Sequence, residues 1–195
     1  MTTIALPARS WALDTTERHA LIPMHVATRY ELAAWEQANI AKAVAWLDQR
    51  PRRGSVLTGR FLRTLHKRMF DETWGHAGHY RRSKAAVGAP AWTVSTRVED
   101  VIAKARGWIQ AQAYPADEIV IRFHHRLSEV RPFERGNGRA TRLLADALIV
   151  ELRRPPFTWG AGTCLAADEL ADRYRAALHI ADNDNISVLL AFARS

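Results

Sequence analysis

Cysteine is almost missing from this chain: Cys164 stands alone. One thiol excludes an internal disulfide and a cysteine-based metal cluster, and it points to a reducing compartment, the cytoplasm. Long apolar runs are missing too, so no stretch is expected to span a membrane. Residues 1–10 lack the basic start and continuous apolar core of a secretory leader. Acidic residues are the third shortage, 20 against 28 lysines and arginines, for a formal net charge of +8. That imbalance predicts anionic partners. The arginines are scattered rather than gathered into a basic arm, which makes nucleic acid the weaker of those partners. Internal repeats, low-complexity tracts and interdomain linkers are absent as well. What is present suits one domain over 1–195, with an N-terminal segment and helix over 1–50 and a core over 55–195.

Apolar spacing predicts a mainly helical chain. Residues 1 to about 22 read as an irregular lead-in, with Pro7 and the polar Asp14-Thr15-Thr16-Glu17. A helix follows from Thr28, where Thr28 and Glu31 form a capping box and Leu32, Trp35, Ile40, Val44 and Leu47 share a face. Pro51-Arg52-Arg53-Gly54 breaks it. The next helix runs from about Thr58 to Phe70 over a stripe of Phe61, Leu62, Leu65 and Met69. Residues 81–95 are the least helical, because Gly88 and Pro90 break helix while Trp92, Thr93 and Val94 favour strand. A short β-hairpin flap is expected there. Helices return over about 97–112 and from Pro115 onward, then after residue 136 until Pro155-Pro156, and finally over 168–180 and 186–193. The fold class expected is all-α with a small flap.

One stretch carries chemistry, 130–142, reading Val-Arg-Pro-Phe-Glu-Arg-Gly-Asn-Gly-Arg-Ala-Thr-Arg. Gly136 and Gly138 flank Asn137 and let the backbone take positive φ, turning its N–H groups toward one point. A helix N-terminus favours anions because its first N–H groups lack intrahelical partners and the dipole is positive there. Arg139 and Arg142 add forked donors that match phosphate. The stretch reads as a phosphate cradle.

The same residues resemble the core signature of the Fic (Fic/Doc) family, His-x-Phe-x-acid-Gly-Asn-Gly-Arg-x-x-Arg. Leu65-His66-Lys67-Arg68-Met69-Phe70 with Trp74, Ala77-Gly78 and Tyr80-Arg81, and Phe123-His124-His125-Arg126-Leu127, resemble the segments that precede that signature. Leu21-Ile22-Pro23, Glu36-Gln37-Ala38-Asn39, 154–159 and 191–194 look like the subgroup called mobile mystery protein B. The resemblance implies a helical bundle with a β-hairpin flap beside the site. It implies transfer of AMP from ATP to a hydroxyl of a target protein, with a histidine taking the proton. It assigns phosphate binding to Gly136, Asn137, Gly138, Arg139 and Arg142, a structural role to Phe133, and Mg²⁺ to the acidic position.

Two positions depart from the signature. Arg131 stands where the catalytic histidine belongs, and Arg135 where the acidic metal ligand belongs. Arginine stays protonated and is no general base, and losing a positioned base costs about 10²–10⁴-fold in rate. Glu134 is the one carboxylate within reach of the metal position, and a solvated loop glutamate is its plainer role. His124 and His125 are read as structural helix residues rather than replacement bases. The cradle should still attract phosphate while catalysing transfer poorly, as in a pseudoenzyme.

Three further expectations complete the reading. The flap (83–94, with Lys84, Trp92, Thr93 and Val94) would add a strand to an extended target peptide. Glu36 is a candidate inhibitory residue opposite Arg142, but Leu32 stands where the inhibitory helix motif has Ser or Thr, so an exposed helix glutamate is the plainer reading. The function expected is nucleotide binding with AMP transfer if active. The alternatives are a non-catalytic protein-interaction module and, more weakly, a nucleic-acid binder.

Overall fold

The computed structural model describes residues 12–49, 56–85 and 87–195. Among them lie eight α-helices: α1 (Thr15–Ala20), α2 (Arg29–Gln49), α3 (Gly59–Phe70), α4 (Val94–Gln110), α5 (Ala116–Val130), α6 (Asn137–Glu151), α7 (Ala167–Ala181) and α8 (Ser187–Arg194). No helix of the described residues is long and apolar enough to cross a membrane. The start of the lead-in and the break at Pro51-Arg52-Arg53-Gly54 lie outside the described residues.

The described residues divide into two units, one from 12–49 and 63–79, the other from 56–62, 80–85 and 87–195. In the first unit the lead-in is not irregular. Asp14 caps α1 by accepting the Glu17 N–H at 2.7 Å, and Glu17 accepts the Asp14 N–H at 3.1 Å. This reciprocal pair lets a six-residue helix persist. The box predicted at Thr28 is present: Glu31 accepts the Thr28 N–H at 3.0 Å, and Thr28 Oγ1 accepts the Glu31 N–H at 3.2 Å.

The buried face of α2 differs from the expected one. Leu32, Glu36, Asn39 and Ala43 are buried, while Trp35 and Val44 are exposed. Hydrogen bonding outweighs apolarity here. Asn39 Oδ1 accepts from the Glu72 N–H (3.0 Å) and Thr73 Oγ1 (3.2 Å), and its amide donates to the Arg68 carbonyl (3.3 Å). Glu36 accepts the Trp74 indole N–H at 2.7 Å. Buried polar groups satisfied in this way cost little and fix the register of the turn at 71–74 against α2.

In the second unit α5 is central, packed against α4, α6 and α8, with α7 against α8. Ile119, Val120, Ile121, Phe123, His124, His125, Leu127 and Val130 are all buried, as expected for a helix enclosed on nearly every side. The β-branched run 119–121 lies within this helix, as expected from Pro115 onward. Phe61 and Leu62 of α3 are buried as the stripe requires.

No β-hairpin forms at 83–94 among the described residues. Ser83 and residues 87–89 are bends, residues 84, 85 and 90 are irregular, Ala91–Thr93 is a single 3₁₀ turn, and Val94 opens α4. The carbonyls of Ser83 and Ala89, which a hairpin would pair across strands, instead accept from the Arg81 guanidinium. Strand propensity at Trp92, Thr93 and Val94 yields because Thr93 Oγ1 bonds the Pro90 carbonyl at 2.9 Å and turns the chain into the helix. Val94 is a core residue, 1% exposed, and is not available to a partner.

Candidate functional site

The motif is the junction between α5 and α6. Arg131 ends α5 in the left-handed region (φ 49, ψ 66), and Gly136 precedes α6 in the same region (φ 72, ψ 6). Between them the loop is closed by Asn137. Its Oδ1 accepts the Phe133 N–H at 2.8 Å, and its Nδ2 donates to the Phe133 carbonyl at 2.8 Å. The Asn137 side chain is therefore committed to shaping the loop. Phe133 is 1% exposed and meets the Tyr80 ring at 5.7 Å. The first intrahelical bond of α6 runs from the Ala140 N–H to the Gly136 carbonyl at 2.9 Å. The N–H groups of Asn137 and Gly138 precede it and have no intrahelical acceptor, which is the geometry of an anion-binding helix end.

A side chain missed in the sequence holds this loop. Arg81 is 3% exposed. Its Nε donates to the Arg131 carbonyl at 2.7 Å, Nη1 to Ser83 (3.1 Å), and Nη2 to Ala89 and to Val130 (3.3 Å). One buried cation thus ties residues 83–90 to the end of α5. Gly88 (φ 120) lies so close to Arg131 that an added Cβ would meet its Cβ at 3.1 Å.

Arg142 lies half-buried on α6, with its guanidinium 4.6 Å over the Tyr174 ring. A Cβ placed on Gly138 would lie 3.8 Å from Arg142 Nη1. The start of α6 and this arginine are therefore close neighbours. Beside Arg142 opens a cavity of about 240 Å³ walled by Trp159, Leu170, Tyr174 and Phe192. No local spacing marks it, because its walls come from a loop, α7 and α8. Behind the wall, Tyr174 Oη lies 3.0 Å from His124 Nε2. Burial pushes the His124 imidazole down to about 3, helped by the charge of Arg142. His124 is therefore neutral and enclosed. His125, 3% exposed, has its Nε2 2.9 Å from Asp182 Oδ1. His125, Glu129 and Asp182 approach one another on the outer side of α5, but Arg126 already spans Glu129 (3.3 Å) and Asp184 (2.9 Å).

Asp146, four residues after Arg142, fixes the cavity wall. Its carboxylate accepts the Trp159 indole N–H at 3.0 Å and the Phe157 N–H at 3.1 Å. Burial pushes this carboxyl up to about 6, against those hydrogen bonds and the charges of Arg142 and Arg194. The folded value is above the unfolded one. The stability this group contributes is therefore complete below about pH 4 and is lost as pH rises through 6. Asp146→Asn keeps an acceptor oxygen and removes the charge. The variant should lack this pH dependence, so its stability relative to wild type should rise on the order of 2–3 kcal/mol between pH 4 and 7.5. Urea unfolding at both pH values measures it, and parallel pH profiles for the two proteins would refute it.

The Mg²⁺ that the resemblance implies meets a poor donor set. A hard dication wants oxygen ligands. Glu134 accepts from Ser83 Oγ at 2.6 Å and from the Ser83 N–H at 3.3 Å, and it is exposed. The expected metal-ligand position itself carries the Arg135 guanidinium. These residues do not fit a resident Mg²⁺. Lys84 and Trp92 are both exposed, Trp92 at 86%. Glu36 is not an exposed helix glutamate: it is buried as the acceptor of the Trp74 indole.

Comparison with known proteins matches residues 56–149 to the Fic/DOC family. The N-terminal Fic domain of an effector protein from Bartonella sp. AR 15-3 superposes with a TM-score of 0.71 at 12% identity, covering 93% of this chain and 92% of that one. BepC from Bartonella tribocorum, solved with bound AMPPNP, gives 0.65 at 15% identity, covering 93% and 97%. Fic-1 from C. elegans gives 0.64 at 20% identity over 82% of this chain, which spans only 47% of that one. At these identities the likeness establishes the fold.

Proposed function

Because residues 56–149 match the Fic/DOC family, we propose that the chain binds a nucleotide, ATP in the first instance, by its phosphates at the start of α6. The observation that carries this reading is the cavity beside Arg142, whose walls are Trp159, Tyr174, Phe192 and Leu170. An arginine lining a compartment with three aromatic walls suits a phosphorylated ligand with a flat base. The N–H groups of Asn137 and Gly138 would take phosphate oxygens, with Arg139 and Arg142 on the outer phosphates. AMP transfer would break the α–β phosphoanhydride bond, join the α-phosphorus to a protein hydroxyl and release pyrophosphate. The hydroxyl proton needs a base, and Arg131 is not one. Transfer is accordingly slow or lost, and nucleotide binding is the function that remains.

Calorimetry with ATP tests the binding. Arg142→Ala should weaken it about 10–100-fold, the value of one charge-assisted bond to phosphate. Wild-type affinity in that variant would remove Arg142 from the site. Incubation with α-labelled ATP, Mg²⁺ and cell extract tests the transfer, with wild-type labelling expected near background.

The exposure of Trp92 favours a second reading in which the same chain holds a protein partner without modifying it. Trp92→Ala would then release a captured partner while leaving ATP binding unchanged.

A further inference from the structure

The mismatch between the motif and Mg²⁺ carries a consequence for the ligand. We infer that this cradle takes its phosphates in metal-free form, with Arg135 supplying the positive charge that a dication would bring; the inference rests on the nucleotide reading above. Four arginines, Arg131, Arg135, Arg139 and Arg142, fall within twelve residues, and Glu134 is the one acid among them. That acid is engaged with Ser83. Arg131 is exposed, and the other three are half-buried. Arg135 directly precedes Gly136, the left-handed residue that opens α6, so its charge adds to the positive end of that helix.

In phosphoryl-transfer sites the metal bridges phosphate oxygens and neutralises their charge. A guanidinium does the same with two directed N–H bonds and needs no oxygen ligand from the protein. A dication entering this cluster would meet like charges, and the single carboxylate within 131–142 is held by Ser83, so it would lose on both counts. Mg²⁺ in solution then competes with the protein for the same phosphate oxygens. The ligand class is a nucleoside di- or triphosphate without its metal, and free inorganic pyrophosphate should bind by the same contacts with lower affinity.

The test is calorimetric titration of the full chain with ATP in EDTA and in excess Mg²⁺. ATP should bind in EDTA as tightly as in Mg²⁺ or up to about tenfold more tightly, about 1.4 kcal/mol. Arg135→Glu should reverse the order, binding ATP at least about tenfold less well in EDTA and recovering when Mg²⁺ is added. Arg135→Gln, which keeps the side-chain length, should lose affinity in EDTA and gain nothing from Mg²⁺. Wild-type binding that requires Mg²⁺ would overturn the inference and leave the nucleotide reading standing. Unchanged metal-free binding in both variants would also overturn it. Absence of ATP binding in either buffer would remove the nucleotide reading and this inference together.

Discussion

Arg131→His combined with Arg135→Glu should raise AMP transfer to protein hydroxyls by about 10²–10⁴-fold over wild type, the range that a positioned base contributes. The backbone is already suited to the exchange. Position 131 sits at φ 49, ψ 66, and histidine is among the residues enriched in the left-handed region. Its carbonyl accepts from Arg81, and its side chain is exposed, so neither the loop nor the core depends on the guanidinium it would lose. At 135 a carboxylate would give Mg²⁺ an oxygen ligand beside the start of α6. Arg131→His alone supplies the base without the metal and should recover only part of the gain. Labelling with α-labelled ATP and Mg²⁺ reads the effect. If the double variant folds, binds ATP and still labels at background, the loop is not a decayed catalytic centre.

Arg81→Ala should cost about 1.5–3 kcal/mol of stability, the scale of losing hydrogen bonds to a charged group. Four main-chain carbonyls share this guanidinium, and two of them, Val130 and Arg131, are at the end of α5 where no intrahelical donor exists. Alanine would leave the Arg131 carbonyl without this donor and the Val130 carbonyl with the Ala89 N–H alone, at 3.3 Å, and lysine cannot span the four because its donors radiate from one atom. The urea midpoint should fall at an unchanged slope. Trypsin should also cut faster at the exposed Arg82 and Lys84, since the segment they occupy is tied down through Ser83 and Ala89. A loss below about 1 kcal/mol, with unchanged cleavage, would show that water replaces the clasp without cost.

How much of this was legible beforehand follows from where each interaction lies along the chain. The stripe of α3, the Thr28–Glu31 box and the motif are local, so spacing revealed them. The Asp14–Glu17 box has the same four-residue signature as Thr28–Glu31 and was passed over because no apolar period follows it. The face of α2 was misread for a different reason. Glu36 and Asn39 are buried because Trp74, Thr73 and the backbone of 68–72 need their polar atoms, and those partners lie about thirty residues away. The expected hairpin failed likewise, because Arg81 claims the carbonyls that strand pairing would have used. The cavity walled by Trp159, Tyr174 and Phe192 joins three distant segments, and nothing local marks it.

The Arg81 network also bears on how this sequence changes over generations. Every acceptor it uses is a main-chain oxygen, and a carbonyl is inherited whatever side chain the codon specifies. These four contacts therefore survive a change of side chain at 83, 89, 130 or 131. Under such an arrangement a catalytic residue can be lost in one mutational step, and the scaffold would retain its shape for a later step that restores it.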